Sequence, residues 1–234
     1  MSVTPGKMGE VLKSYLLKEE NGTEISRSLP IVLAERITDF VSMVLLAIVG
    51  AYVFNYGQEI IIIIGIVFLG IVIILSFKNI SVRIIQIISK VGFLKKYANN
   101  LLIAYESAYK LLRIKPLIIA TVISIFAWFC ECIGFYIVLK GFSGTSYIDV
   151  NILISTFIYA FSTLIGAVAM MPGGLGATEA SLTGLLVLLK IPKNISAAST
   201  IIIRAATLWF AVLIGIIFLL IYESTSDIKS LDKI

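Results

Sequence analysis

Long apolar runs, separated by short polar stretches, organise this sequence from residue 30 onward. A helix needs about 20 mostly apolar residues to cross a hydrocarbon layer about 30 Å thick. Pro30–Phe54, Ile60–Phe77, Pro116–Leu139, Ile148–Met171 and Ile195–Tyr222 are all near or above that length. A shorter apolar piece, Leu175–Leu189, follows a Pro-Gly-Gly break. Each run is too long or too continuous for a soluble strand. The pattern predicts an all-α, polytopic membrane helix bundle of about five or six membrane segments, forming one membrane domain over residues 1–234.

The polar stretches divide that domain. Residues 1–29 precede the first span, 30–77 hold two spans, 116–222 hold the others, and 223–234 form a short tail. Between the second and third spans, Lys78–Lys115 mixes bases with Ile, Leu and Tyr. Its Ile84, Ile85, Ile87, Ile88 and Val91 recur at helical spacing, which predicts one or two amphipathic helices lying on the membrane surface.

Composition supports the same class. The chain of 234 residues is 59% hydrophobic and 14% charged, against about 25% charged in an ordinary soluble domain. It contains no histidine, which removes serine–histidine triads and His-ligated metal or haem sites. Its two cysteines, Cys130 and Cys132, lie inside an apolar run and read as small packing residues. No G-x-S-x-G, HExxH or P-loop motif is present. The expectation is a protein that is not an enzyme, needs no cofactor and has no nucleic-acid partner.

Charge distribution predicts orientation. Residues 1–30, the Lys78–Lys115 loop and the tail after Tyr222 carry fourteen Lys and Arg residues, while the loops on the opposite side carry three. Basic loops stay in the cytoplasm. Both termini and the large loop are therefore expected there, with the protein multi-pass in the cell membrane.

The stretch Met171–Ala180 reads MPGGLGATEA. Pro172, Gly173 and Gly174 end one helix, and Glu179 suits the positively polarised first turn of the next. The 15 residues of Leu175–Leu189 give about 22 Å of helix, so a re-entrant half-helix and a crossing both stay open. A related string, TPGKMGE, runs from Thr4 to Glu10 and supplies Pro5, Gly6, Gly9 and Glu10. Pro5 precedes Arg36 by 31 residues and Pro172 precedes Arg204 by 32. The two arginine-bearing helices run in opposite senses by the charge count, as in an inverted repeat that encloses a binding site near the midplane.

A charge inside a span needs a reason, because it costs about 2.5–3.5 kcal/mol at a helix centre. Arg204 falls about 14 Å into its span and reads as an anion-binding or gating residue, or as half of a structural salt bridge with Glu179. Glu131 lies past the middle of its span and reads as a proton or cation site, or as a neutral acid bonded across helices. Glu35, Arg36 and Asp39 lie in the first turns of their span, where long side chains can also reach the interface.

TPGKMGE, then Glu35-Arg36-x-x-Asp39, then PGGLGATEA, then an arginine in the last helix resemble the transmembrane region of the lysylphosphatidylglycerol synthase family over essentially the whole chain. In bifunctional members of that family this region is linked to moving an aminoacylated lipid between leaflets, and a separate soluble domain performs aminoacyl transfer. The resemblance implies the membrane part without the synthase. It also implies further spans ahead of the TPG motif, which suggests a fragment or a reduced version. The expected activity is translocation of an anionic or aminoacylated lipid, with membrane lipids as partners. Arg36, Arg204 and the helix start from Gly174 through Gly176 to Glu179 would meet the anionic head. The alternatives are a non-transporting partner of a glycosyltransferase or lipid-modifying enzyme, and a small-ion transporter using Glu131 and Glu179.

Overall fold

The computed structural model of the chain describes residues 11–54, 76–88, 112–142, 150–169 and 171–231, with single positions 63, 65, 66, 70, 72, 74, 102, 105, 106, 108 and 109 between them. Helix α1 is Val11–Asn21, α2 is Ile25–Phe54 and α3 is Lys78–Ile88. Helix α4 is Ile114–Gly141 and α5 is Ile152–Val168. A 3-10 turn at Pro172–Gly174 leads to α6, Ala177–Leu188. Helix α7, Lys193–Arg204, continues through a π turn at Ala205–Trp209 into α8, Phe210–Leu231. No strand occurs among the described residues.

The apolar runs at 30–54, 116–139, 148–171 and 195–222 form helices with shifted ends, and the predicted span 60–77 lies largely outside the described residues. Helix α2 begins five residues before Pro30, which sits inside it. That proline leaves the carbonyl of residue 26 without its helical donor, a cost confined to the helix start. Pro116 falls in the first turn of α4, where its missing N–H is one the helix does not use. Asn151 starts α5 later than the apolar run suggests, because its Oδ1 accepts from the N–H of Ile154 at 2.8 Å and caps the helix. The resulting 17 residues give about 25 Å. Helix α3 covers the first part of the segment expected to be amphipathic helix; Val91 lies outside the described residues.

Helix α6 has 12 residues, about 18 Å, which is too short to cross a layer of about 30 Å. It ends in a Schellman motif. The N–H of Ile191 donates to the Leu186 carbonyl at 3.2 Å and that of Lys190 to Val187 at 2.9 Å. Lys190 takes the left-handed conformation at φ 62°, and Ile191 and Leu186 are both buried beneath the turn. The chain then reverses into α7, and the Thr183 and Thr200 hydroxyls meet at 3.1 Å across the hairpin.

Helix α5 is the centre of the bundle and packs on α2, α4 and α6. Phe135, Phe157, Ile158, Leu182 and Leu186 are among the side chains closed off from the surface. The α2–α5 contact is a backbone approach. A Cβ on Gly50 would stand 2.5 Å from Phe157 Cβ and 2.8 Å from the Leu153 carbonyl oxygen. Small residues at helix crossings are how membrane bundles gain packing when there is no water to expel. The outside is correspondingly apolar: Ile119, Ile123 and Phe126 of α4 and Leu213, Ile217 and Phe218 of α8 are all exposed. Helix α4 and the continuous helix Lys193–Tyr222 are each long and apolar enough to span a bilayer.

Candidate functional site

The break between α5 and α6 is built from glycines. Gly173, Gly174 and Gly176 take φ values of 60°, 68° and 84°, a region where a Cβ costs about 1–2 kcal/mol per residue. Gly174 is constrained a second time, because a Cβ there would stand 3.3 Å from the Cα of Gly166 on α5. The same side of Gly166 is filled by the hydroxyl of Thr178. The sequence therefore brings the turn against α5 with nothing but backbone and one threonine between them.

Arg204 holds that turn from the other side. Its Nε donates to Glu179 Oε1 at 2.6 Å, and a terminal nitrogen donates to the Gly173 carbonyl at 2.6 Å. Arg204 is 8% exposed. The other oxygen of Glu179 accepts from the N–H of Gly176 at 2.6 Å, the carboxylate half of a capping box. One arginine thus ties the last helix to both ends of the break. Of the two sequence readings of Arg204, the salt bridge with Glu179 is what the geometry contains. At the start of α6 the Glu179 carboxylate is bonded to both the Gly176 N–H and Arg204.

The remaining charged candidates fall in two further groups. Arg36 donates to Asp39 Oδ2 at 2.7 Å within α2, and Ser124 of α4 donates to Asp39 Oδ1 at 2.6 Å. One turn on, the Ser42 hydroxyl contacts the Thr121 carbonyl at 3.1 Å. Asp39 thereby joins α2 to α4. Glu35, one turn before Asp39 on α2, is exposed. Glu131 accepts from the Tyr159 hydroxyl at 2.6 Å, which links α4 to α5, and Thr207 of the π turn lies beside that hydroxyl. Asp39, Glu131 and Arg204 each make a hydrogen bond from one helix to a neighbouring one. Pro5, Gly6, Gly9 and Glu10 lie outside the described residues, and with them the first half of the internal echo.

Tyr159, Ser124, Gly166 and Thr178 are site residues that reading the charges alone misses. A signal for two of them was present. Ser155, Tyr159, Ser162 and Gly166 recur at intervals of four, three and four, and all are buried. That is one small-polar face of a helix turned towards its neighbours. Among the described residues no group of three or more Cys, Asp or Glu side chains could hold a metal ion.

An all-helical bundle with an apolar exterior, interior charges and a broken helix defines a polytopic membrane protein. The family model for the lysylphosphatidylglycerol synthase TM region matches residues 1–215, and the chain belongs to that family. It is 29% identical over 227 residues to a UPF0104 membrane protein of Methanocaldococcus jannaschii, covering 95% of this chain and 93% of that protein. It is 24% identical over 228 residues to a UPF0104 membrane protein of Methanothermobacter thermautotrophicus, covering 90% of this chain and 66% of that one. No solved structure matches the chain.

Proposed function

We propose that the chain is a lipid translocase, which carries the head group of an anionic or aminoacylated phospholipid or glycophospholipid between leaflets and performs no chemistry on it. The observation that carries this reading is that Asp39, Glu131 and Arg204 are held by hydrogen bonds between helices of a bundle whose outer surface is apolar. Charges in hydrocarbon are costly and cluster where a polar species passes. A membrane anchor for another enzyme would have no use for them. In this reading a lipid-modifying enzyme or glycosyltransferase supplies or consumes the lipid.

The break at Pro172–Gly174 is the mobile part of the mechanism. Arg204 holds it through one carboxylate and one carbonyl. A lipid phosphate that drew the guanidinium away would release the turn from the last helix, because phosphate suits the same planar fork. Both termini and the Lys78–Lys115 region face the cytoplasm, following the distribution of bases.

The test is lipid movement in vesicles containing the purified protein, followed by quenching of a fluorescent anionic lipid from one side. Arg204→Ala should abolish movement. Adding Glu179→Gln to that variant should restore folding and leave movement absent; a fully active double variant would overturn the role of Arg204. Single cysteines at Arg83 and Lys140 should label from opposite sides of intact cells. Labelling of both from outside would refute the orientation.

A further inference from the structure

The carboxylates of Asp39, Glu131 and Glu179 all bond to a neighbouring helix, and two of them are neutralised at close range. Asp39 meets the Arg36 guanidinium at 2.7 Å and Glu179 meets that of Arg204 at 2.6 Å. Glu131 differs. Among the described residues it has no ion pair, and the group it meets is the neutral hydroxyl of Tyr159, at 2.6 Å. The surroundings are apolar and closed. Tyr159, Cys132 and Phe135 are buried, and the rings of Phe135 and Tyr159 lie with centroids 5.8 Å apart. The charges that act on Glu131 from other helices are Arg204 on α7 and Asp39 on α2. Tyr159 on α5 and Cys132 on its own helix are the other ionisable groups beside it. Arg204 and Asp39 are opposite in sign and each is engaged by its own partner, so neither serves Glu131 as a contact counter-ion. A carboxyl group placed in an apolar span without a cation of its own is the kind of group that binds a proton.

The hydroxyls beyond Glu131 form a chain with a direction. Thr207 of the π turn lies beside the Tyr159 hydroxyl, and its own hydroxyl donates to the Ile203 carbonyl at 2.8 Å. With its hydrogen directed there, Thr207 Oγ1 still has a lone pair with which to accept. When Glu131 is ionised, Tyr159 donates to the carboxylate. When Glu131 carries a proton, the carboxyl O–H donates to the Tyr159 oxygen, and Tyr159 turns its hydrogen to Thr207. No donor is left without an acceptor in either state. The change is one proton gained at Glu131 and one hydroxyl rotated at Tyr159.

We propose that Glu131 is a proton-binding site, and that Tyr159 and Thr207 relay its occupancy to the π turn. The ligand is a solvent proton, bound reversibly at the carboxylate. Thr207 stands three residues after Arg204, so the turn that registers the proton adjoins the residue that holds the Pro172–Gly174 break. The site belongs to the resting chain and does not rest on lipid translocation.

Infrared difference spectroscopy of the full chain in detergent, taken between alkaline and acid buffer, reads the proton as a carboxylic C=O band. A carboxyl in an apolar site absorbs at higher frequency than one in water, which separates Glu131 from surface acids. The band should appear on acidification and vanish in Glu131→Gln. Glu179→Gln, which removes a carboxylate paired with Arg204, should leave it in place. Its pH midpoint should fall by about one unit in Thr207→Val, which removes the acceptor used by the protonated state. The midpoint should rise by about one unit in Tyr159→Phe, which removes the donor to the carboxylate. One unit is a tenfold change in proton affinity, the scale of one hydrogen bond to a charged group. Should Glu131→Gln fail to fold, the opposed shifts of the other two variants decide alone. Shifts of the same sign, or none, would overturn the relay. A band that persists in Glu131→Gln, or one present at every pH, would overturn the proton site. Bleaching of the band by sodium at constant pH would show a metal-cation site and overturn it as well.

Discussion

Arg204 and Glu179 are 25 residues apart in sequence and 2.6 Å apart in space. Through this pair the last long helix grips the start of α6, and the second arm of Arg204 reaches Gly173 on the other side of the break. Arginine makes the two contacts with two separate nitrogens, and lysine has only one nitrogen to place. Arg204→Lys should therefore keep the charge pair and lose the carbonyl contact. The expected cost is about 1–2 kcal/mol, in line with interhelical hydrogen bonds in membranes, read as a lower unfolding midpoint in detergent. Arg204→Ala should cost more, since it leaves a largely enclosed carboxylate without its partner.

Gly166 should tolerate no side chain. A Cβ there would overlap the Thr178 hydroxyl and stand 3.3 Å from Gly174 Cα. Gly166→Ala is expected to destabilise by about 1–3 kcal/mol, the usual range for overpacking. Thr178→Ala in the same chain should recover part of that loss by clearing the hydroxyl, and not all of it, because the backbone contact persists. Thermal unfolding of the two single variants and the double variant measures the coupling.

Two glycines ten residues apart should behave in opposite ways. Gly174 has φ 68° and a backbone neighbour, whereas Gly184 lies in α6 with open space where a Cβ would go. Gly174→Ala should cost about 1–2 kcal/mol from the left-handed backbone alone. Gly184→Ala should stabilise by up to about 1 kcal/mol through helix propensity. Circular dichroism melts of the pair check this, and the Gly184 variant controls for any general effect of adding a methyl group.

Lys190 occupies the left-handed position of a Schellman motif that glycine ordinarily fills. Lys190→Gly should raise stability by about 1 kcal/mol. The hydrogen bonds of Lys190 and Ile191 to Val187 and Leu186 are made by backbone N–H groups, so the substitution retains both. A lower melting temperature would show that the lysine side chain has a role of its own.

Tyr159→Phe should remove the one hydrogen bond that Glu131 accepts from α5. The expected loss is about 0.6–1.7 kcal/mol. In Glu131→Gln the tyrosine keeps an acceptor, so that variant should be milder. A double variant equal to the sum of the single ones would show that the two groups do not interact.

Much of the architecture was legible because hydrocarbon imposes a length and a composition on anything that crosses it. The runs ending at Phe54 and Leu139 gave helices whose ends moved by only a few residues, and the PGGLG break gave three left-handed glycines. The site was less legible, because an unusual charge in a sequence announces a need for a partner and not which partner it has. Arg204 found Glu179, the partner offered by its own sequence reading. Asp39 found Arg36 within its own helix and a serine 85 residues away. Glu131 found a tyrosine. Hydroxyl-bearing residues are common in apolar helices, so Ser124 and Tyr159 stand out only once the helices are placed side by side.

The π turn at Ala205–Trp209 gives the last rod two separately aimed halves. A wide turn takes up one residue more than an α turn, and each residue advances the helix by about 100°. Every side chain after Trp209 is therefore swung by roughly that angle from where an unbroken helix would carry it. Arg204 can face inward while Trp209 and Phe210, five and six positions on, face outward. Deleting one residue within the turn would spin the outer half against lipid and leave the α6–α7 hairpin where it is.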